Sequence, residues 1–338
     1  MQEIPLRLLV KTLTGKRIFN AVRAVSSYLC SAVTRKKIAW GYPLILSVEP
    51  TNICNLKCPL CVTGNGSLTR PRGTMDFATF QKIIDAFGDY LFYLVLYQQG
   101  EPFLNKDLIR FIEYAKRRRI FITTSTNGHY FTPETARKTV ASGLDSLIVS
   151  IDGADQESYE KYRVAGNLSK TLDGIRHLVR QKKNQQQKTP VIFVQFIAMR
   201  HNESQIADMR KMTKKIGADK LLIKTVHVET VQQARQWLPA RRRLQRYVIR
   251  DNRLLPKRHG LGTCHRPWTS ALFNWDGSVA PCCFDKNAAH NLGSLKNQKD
   301  LHKIWNSSAY DTFRTHMLTK RDTLEICANC SQGLRLFV

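Results

Sequence analysis

Cys54-Asn55-Leu56-Lys57-Cys58-Pro59-Leu60-Cys61 follows the strand-like run at residues 43–49 and sets three thiols on one short loop, with three residues between the first pair and two between the second. Thiols this close do not make a set of disulfides, and three ligands are one short of the closed tetrahedron of structural zinc. A [4Fe–4S] cube held by only three cysteines keeps one iron open to a small molecule. A fragment of a zinc site, or reduced core cysteines, is the plainer alternative.

Beyond this loop the chain alternates. Helical spacing of apolar residues at 76–87, 107–118, 132–142, 156–163, 168–183 and 203–216 is interleaved with short apolar runs at 91–97, 120–125, 146–151, 191–199 and 220–226. Such alternation predicts parallel strands in βαβ units, an α/β fold that suits an incomplete (β/α)6 barrel as well as a doubly wound sheet. Parallel strands offer functional residues at their carboxyl ends. The candidates there are Gly100 and Glu101 after the second strand, Ser125 and Asn127 on the third, and Ser150 and Asp152 on the fourth. Arg163 lies shortly downstream, and Gln195 sits within the fifth strand. Asn-Gly and Asp-Gly are common turn dipeptides, so each of these signals gains weight only from its place in the series.

A second cysteine group follows a change of composition near residue 230. Cys264, Cys282 and Cys283 flank Asp276-Gly277, a hairpin turn between apolar runs that brings Cys264 and Cys282 together; a helix at 301–318 then leads to Cys327 and Cys330. Cys264, Cys282, Cys327 and Cys330 suffice for a closed site, and a zinc ribbon fits the same description. Cys283 is an alternative to Cys282, with a buried thiol as its plainer role, as for Cys30.

The chain has 338 residues, enough for one large or two ordinary domains, and nine cysteines without a signal-peptide pattern, which predicts a reducing, cytoplasmic setting. No stretch reaches the ~20 apolar residues that span a bilayer. The net charge of +27 calls for an anionic partner. Residues 1–40 hold eight basic residues against Glu3 alone, and Ile18, Val22, Val25, Leu29 and Val33 form one apolar helical stripe. That pattern predicts a basic amphipathic helix lying on an anionic membrane face or, equally, a helix packed on the protein's own core. A second basic run, at residues 235–258, lacks the interleaved aromatics that stack bases; an anionic substrate suits it better than nucleic acid.

The Cys-x3-Cys-x2-Cys loop and the strand-end series resemble the radical S-adenosylmethionine (SAM) superfamily. The resemblance implies a partial (β/α)6 barrel in which Cys54, Cys58 and Cys61 hold a [4Fe–4S] cluster whose open iron binds SAM. It implies reductive cleavage of SAM to a 5′-deoxyadenosyl radical that abstracts hydrogen from a substrate. Gly100, Glu101, Ser125, Asn127, Ser150, Arg163 and Gln195 become SAM-contact candidates, with Gln99 standing where the family carries a glycine. Gly277-x4-Cys282 and Cys327-x2-Cys330 resemble the SPASM or twitch region, implying a single auxiliary [4Fe–4S] cluster on Cys264, Cys282, Cys327 and Cys330.

Three segments are expected: a basic N-terminal segment (1–40), a radical SAM core (41–235) and an α+β auxiliary-cluster domain (236–338). The implied partner is a reductant such as flavodoxin or ferredoxin. The expected substrate is a sugar- or lipid-linked metabolite undergoing oxidation, for which Asp152 is a candidate proton acceptor; peptide maturation and a zinc-containing nucleic-acid-binding protein are the alternatives.

Overall fold

The computed structural model describes residues 10–257, 263–296, 300–328 and 330. Helix α1 (Gly15–Thr34) precedes the six strands that the alternation predicts: β1 (Ile45–Val48), β2 (Tyr93–Val95), β3 (Phe121–Thr126), β4 (Ser146–Ser150), β5 (Val191–Ala198) and β6 (Lys220–Thr225). Each pairs in parallel with the next. Helices α2 (Phe77–Phe87), α3 (Leu108–Lys116), α4 (Pro133–Ala141), α5 (Gln156–Tyr162), α6 (Leu168–Asn184) and α7 (Ile206–Lys215) return the chain. Their starts are written locally: Asp76, Thr132 and Asn167 each accept the backbone N–H three residues on, a cap that contributes about 1 kcal/mol.

The strands alternate as parallel strands covered by helices on one side only. Leu46, Val48, Leu94, Ile122, Leu147, Val149, Ile192, Val194 and Phe196 are buried in the main core. The intervening Ser47, Val95, Ser125, Gln195 and Ile197 are half-buried on the other face. Register sets Ser150 beside Gln195 and Ile197 beside Lys224, so these residues share the face away from the helices.

The C-terminal part does not stand apart from this sheet. After α8 (Val231–Trp237), a hairpin of β7 (Tyr247–Arg250) and β8 (Arg253–Pro256), and α9 (Arg266–Thr269), strand β9 (Ser270–Phe273) pairs in parallel with β1. Strand β10 (Val279–Ala280) then runs antiparallel to β9 across the expected Asp276-Gly277 turn, where Gly277 takes φ +78°. The sheet therefore has eight strands in the order β10-β9-β1-β2-β3-β4-β5-β6, rather than six. Buried Ala271 and Phe273 supply the apolar surface that covers the β1 edge.

Two expectations change. The helix at 301–318 is two helices, α10 (Leu301–Trp305) and α11 (Ser308–Thr319), because Ser307 stops one and caps the other by accepting Tyr310 N–H. A short α12 (Glu325–Ala328) follows. The basic run read without structure contains the β7–β8 hairpin, whose turn residues Asp251 and Asn252 both take positive φ (47° and 54°), the requirement of a type I′ turn.

Helix α1 packs on the protein, but by its polar side. Arg17, Asn20, Ala24, Ser27, Tyr28 and Ser31 are buried. The Arg17 guanidinium donates to the carbonyls of Thr12, Gly88, Arg118 and Arg119, and Asn20 exchanges two hydrogen bonds with the Tyr42 backbone. Tyr42, Gly88 and Arg119 precede β1, β2 and β3, so α1 lies across the amino ends of the strands. No described helix is long and apolar enough to cross a membrane.

Candidate active site

The three-cysteine loop leaves the carboxyl end of β1 and is braced on both sides. Thr51 donates to Gly73 O (2.7 Å), and Asn52 bonds Pro71 O and Gly73 N (2.8 and 2.9 Å), closing residues 51–73 into a tight return. Lys57 N–H reaches Val164 O at 3.0 Å, tying the loop to the segment after α5. A Cβ on Gly64 would lie 2.5 Å from Cys58 N, so the chain can pass the second cysteine only as glycine. Cys58 is buried, while Cys54 and Cys61 are half-buried. Burial pushes the Cys54 thiol up to about 11 and raises that of Cys58, so a cation must arrive to hold these sulfurs as thiolates. Three soft donors on one exposed-edged loop fit an iron–sulfur cluster with an open position.

The strand-end candidates gather above this loop. Gly100 takes φ +73°, and a Cβ there would lie 2.5 Å from Thr51 O and 2.7 Å from Ile53 O; this close approach lets Glu101 N–H bond Ile53 O at 2.8 Å. The Glu101 carboxylate is buried and accepts Asn127 N–H (2.7 Å), Thr126 Oγ1–H (2.8 Å) and Phe103 N–H (3.1 Å). Burial pushes it up to about 7 against those three donors. Asn127 in turn donates to Asn55 Oδ1 of the cysteine loop at 2.8 Å. Its Oδ1 accepts from His129, whose Nε2 takes Asn167 N–H and so fixes the proton on Nδ1. Ser125 is half-buried, and Ser150 is buried beside Gln195.

Asp152, the candidate proton acceptor, is wholly buried, with Oδ2 taken by Arg163 Nε (2.6 Å) and Oδ1 by Ile197 N–H (2.6 Å), so its carboxylate is engaged as a partner of Arg163. Arg163 is thereby committed on its Nε side, and Nη1 lies 3.9 Å from Cys58 Sγ. Burial opposes the guanidinium charge, but Asp152 and Cys58 outweigh it and raise its pKa. Bidentate capture of a SAM carboxylate would have to use the remaining Nη edge.

The C-terminal thiols converge from distant segments. Cys264, Cys282, Cys327 and Cys330 line one small enclosed cavity together with Arg266, Arg321 and apolar side chains. Cys283 is outside that lining; its carbonyl accepts Gln98 Nε2–H at 3.0 Å and its sulfur lies 3.9 Å from Arg266 Nη1, so the geometry favours Cys282 for the four-thiol set. Burial pushes Cys327 up to about 11 and raises Cys264 and Cys282. Cys30 is half-buried on α1, far along the chain from either group.

Sequence reading missed the connection between the two groups. Gln99 Oε1 faces Cys61 Sγ at 3.7 Å while its neighbour Gln98 holds Cys283, so the dipeptide bridges the cysteine regions. A buried Glu49–Arg70 pair, bonded through both carboxylate oxygens, lies alongside. Glu49 also accepts the N–H groups of Gln99 and Trp275 (3.3 Å each), and Arg70 Nε reaches Lys286 O at 2.8 Å. The only sequence signals were the charges themselves.

A cavity of about 780 Å³ opens from Cys61, Gln99 and Gln195 toward β6 and the β7–β8 hairpin. Lys224, Arg242, Arg243, Arg246, Lys257 and Lys286 line it, and no carboxylate does among the described residues; Glu229 stands just behind, paired with Lys286 at 2.8 Å. The second basic run thus faces the cysteine loop instead of forming a separate surface.

The model of the radical SAM superfamily matches residues 48–212, and that of the SPASM iron–sulfur cluster-binding domain matches residues 264–331. The chain is 25% identical over 316 residues to the tungsten-containing aldehyde ferredoxin oxidoreductase cofactor-modifying protein of Pyrococcus furiosus, covering 85% of this chain and 86% of the relative. It is 23% identical over 306 residues to the PqqA peptide cyclase of Bradyrhizobium diazoefficiens, covering 81% and 76%. The fold is shared with Streptococcus suis SuiB, solved with its precursor peptide SuiA, at TM-score 0.61 and 14% identity over 88% of this chain and 71% of that one. These matches replace the zinc and nucleic-acid reading. The protein is a member of the radical SAM superfamily, an enzyme that binds SAM and a [4Fe–4S] cluster in its barrel and auxiliary iron–sulfur in a C-terminal SPASM domain.

Proposed function

We propose that the chain abstracts hydrogen from an anionic substrate seated in the basic cavity. Cys54, Cys58 and Cys61 would hold the reducing cluster and Cys264, Cys282, Cys327 and Cys330 a single auxiliary [4Fe–4S] cluster. When bound, reduced cluster and SAM supply a 5′-deoxyadenosyl radical, with an external reductant such as flavodoxin or ferredoxin as electron source. Glu101 and Asn127 set the spacing between the β2 and β3 ends and the cysteine loop; Gly100, Ser125, Ser150, Gln195 and the free edge of Arg163 surround the space left for SAM.

The observation that carries the reading is the excess of positive charge in this wall, which begins at the cysteine loop and continues into the open space: six cations line it with no carboxylate among the described lining residues, and Glu229 behind them pairs with Lys286 at 2.8 Å. Oxyanions match guanidinium and ammonium donors, and like charges brought this close without a ligand repel. The names of a relative that is a peptide cyclase and of a structural neighbour solved with a precursor peptide support a peptide over the sugar- or lipid-linked metabolite, and the basic cavity favours an acidic one. Helix α1, whose basic amphipathic character would favour a lipid-linked substrate, lies at the opposite strand ends. The expected setting is the reducing cytoplasm, and all nine cysteines are free thiols.

Anaerobically reconstituted enzyme with SAM and dithionite tests this. Pooled acidic peptides should raise 5′-deoxyadenosine release and exchange label into substrate, and Lys224→Gln with Arg243→Glu should cut the stimulation about tenfold while leaving basal SAM cleavage in place. Equal stimulation by basic and neutral pools would refute the anionic substrate. Complete absence of 5′-deoxyadenosine from a fully loaded sample would refute the reaction itself.

A further inference from the structure

Helix α1 carries an apolar stripe that the fold leaves in water. Ile18, Phe19, Val22, Leu29 and Val33 are 49%, 64%, 60%, 50% and 84% exposed. Val10 and Leu13 just before the helix, and Trp40 just after it, are also exposed, so most of the exposed large apolar side chains among the described residues belong to this one segment. At 3.6 residues per turn, Ile18, Val22, Val25, Leu29 and Val33 lie on the side roughly opposite the buried set Arg17, Asn20, Ala24, Ser27, Tyr28 and Ser31. The inward face is fastened by hydrogen bonds from Arg17 to four carbonyls, Asn20 to Tyr42 and Ser31 to the Ile38 backbone, and by the Tyr28 ring packed against Trp268. The helix is thus held in an orientation that presents its apolar side outward.

The charge around the stripe identifies what covers it. Residues 4–48 contain eight Lys and Arg and no Asp or Glu. Lys16 and Lys37 pair with Asp89 and Asp311 of the body, leaving Lys11, Arg23, Arg35 and Lys36 exposed on the helix and its flanks. Two copies meeting through this face would bring like charges together, whereas an anionic lipid surface neutralises them while its acyl boundary accepts the aliphatic stripe.

We propose that α1 is an in-plane anchor by which the protein docks on a bilayer of anionic lipids. The inference is independent of the catalytic reading. Because α1 crosses the amino ends of β1, β2 and β3, and the cysteine loop leaves the carboxyl end of β1, docking turns the cavity mouth away from the bilayer. Substrate then enters from the aqueous side.

Flotation of the full chain tests the anchor, using vesicles of phosphatidylcholine alone and of phosphatidylcholine with one quarter phosphatidylglycerol. The wild type should float with the anionic vesicles and stay behind with the neutral ones. Val22→Asp with Leu29→Asp should reduce partition about tenfold or more, and Arg23→Glu with Lys36→Glu should reduce it and its salt sensitivity. Both pairs are exposed, so circular dichroism should be unchanged. A chain that stays soluble with both vesicles overturns the proposal. So does a Val22→Asp, Leu29→Asp variant that floats like wild type, or a self-association abolished by that variant without vesicle binding.

Discussion

The two cysteine sites solve opposite problems with the same side chain. The N-terminal thiols lie within eight residues of one loop, Cys61 rims an open cavity of about 780 Å³, and the buried carboxylates Glu101 and Asp152 lie close by, together with the Arg163 guanidinium whose Nη1 is 3.9 Å from Cys58 Sγ. The C-terminal thiols come from segments as far apart as Cys264 and Cys330, close around a small enclosed space, and have guanidiniums beside them in Arg266 and Arg321. A site that must admit a cofactor is built locally and left open; a site that need only hold its contents is assembled by the fold and shut. The first takes its thiols from one loop braced by Val164 and Asn127, whereas the second draws its thiols from segments that β9, α11 and α12 bring together.

Removing thiols breaks this contrast with the largest expected effect. Serine at Cys54, Cys58 and Cys61 should abolish 5′-deoxyadenosine release, and iron should fall from about eight to about four atoms per chain. Serine at Cys327 and Cys330 should lower iron by the same amount yet preserve SAM cleavage, losing the modified product instead. Iron and sulfide assays read beside 5′-deoxyadenosine release separate the two, and SAM cleavage lost equally in both variants would show that the sites do not differ in this way.

The Glu49–Arg70 pair sharpens the contrast by joining its halves. It lies between the end of β1, Gln99, Trp275 of the β9–β10 turn and the Lys286 backbone, and both partners are buried. Arg70→Met would strand a buried carboxylate, a loss of about 3–5 kcal/mol, and chemical denaturation should report it. Replacing both partners, as Glu49→Leu with Arg70→Met, should recover much of that loss. No recovery would place the penalty in packing rather than in the unpaired charge.

Much of this was legible because it is local. The strands, their helices and the three-cysteine loop depend on residues close in sequence, and each appears at the predicted positions within a few residues. The eighth-strand arrangement was not legible, since nothing in residues 270–273 says that they will pair with β1 far earlier in the chain. The partner of Asp152 was not legible either, because an Asp-Gly at a strand end looks the same whether its carboxylate faces substrate or a buried arginine. The outward stripe of α1 followed the same logic: periodicity revealed a stripe, but only Arg17 and Asn20, pinned to carbonyls and amides of the body, decide which way it points. The I′ turn at Asp251-Asn252 carried a usable signal that the surrounding arginines obscured.

The smallest expected effect belongs to the open site alone. Burial holds the Glu101 carboxyl at about 7, against 4.5 for an ordinary glutamate. The folded chain therefore binds more protons than the unfolded chain between those values, and stability falls as pH rises from 4.5 through 7, by up to about 3 kcal/mol. Glu101→Gln should flatten that part of the pH–stability curve in protein free of SAM. In wild type, SAM itself should flatten it too, because an ammonium against the carboxylate favours the ionised form. No carboxylate lines the C-terminal cavity among the described residues, so serine at Cys327 and Cys330 should leave the slope unchanged. A slope that survives Glu101→Gln would move the pH sensitivity away from the carboxyl end of β2, and with it the electrostatic difference drawn between the two sites.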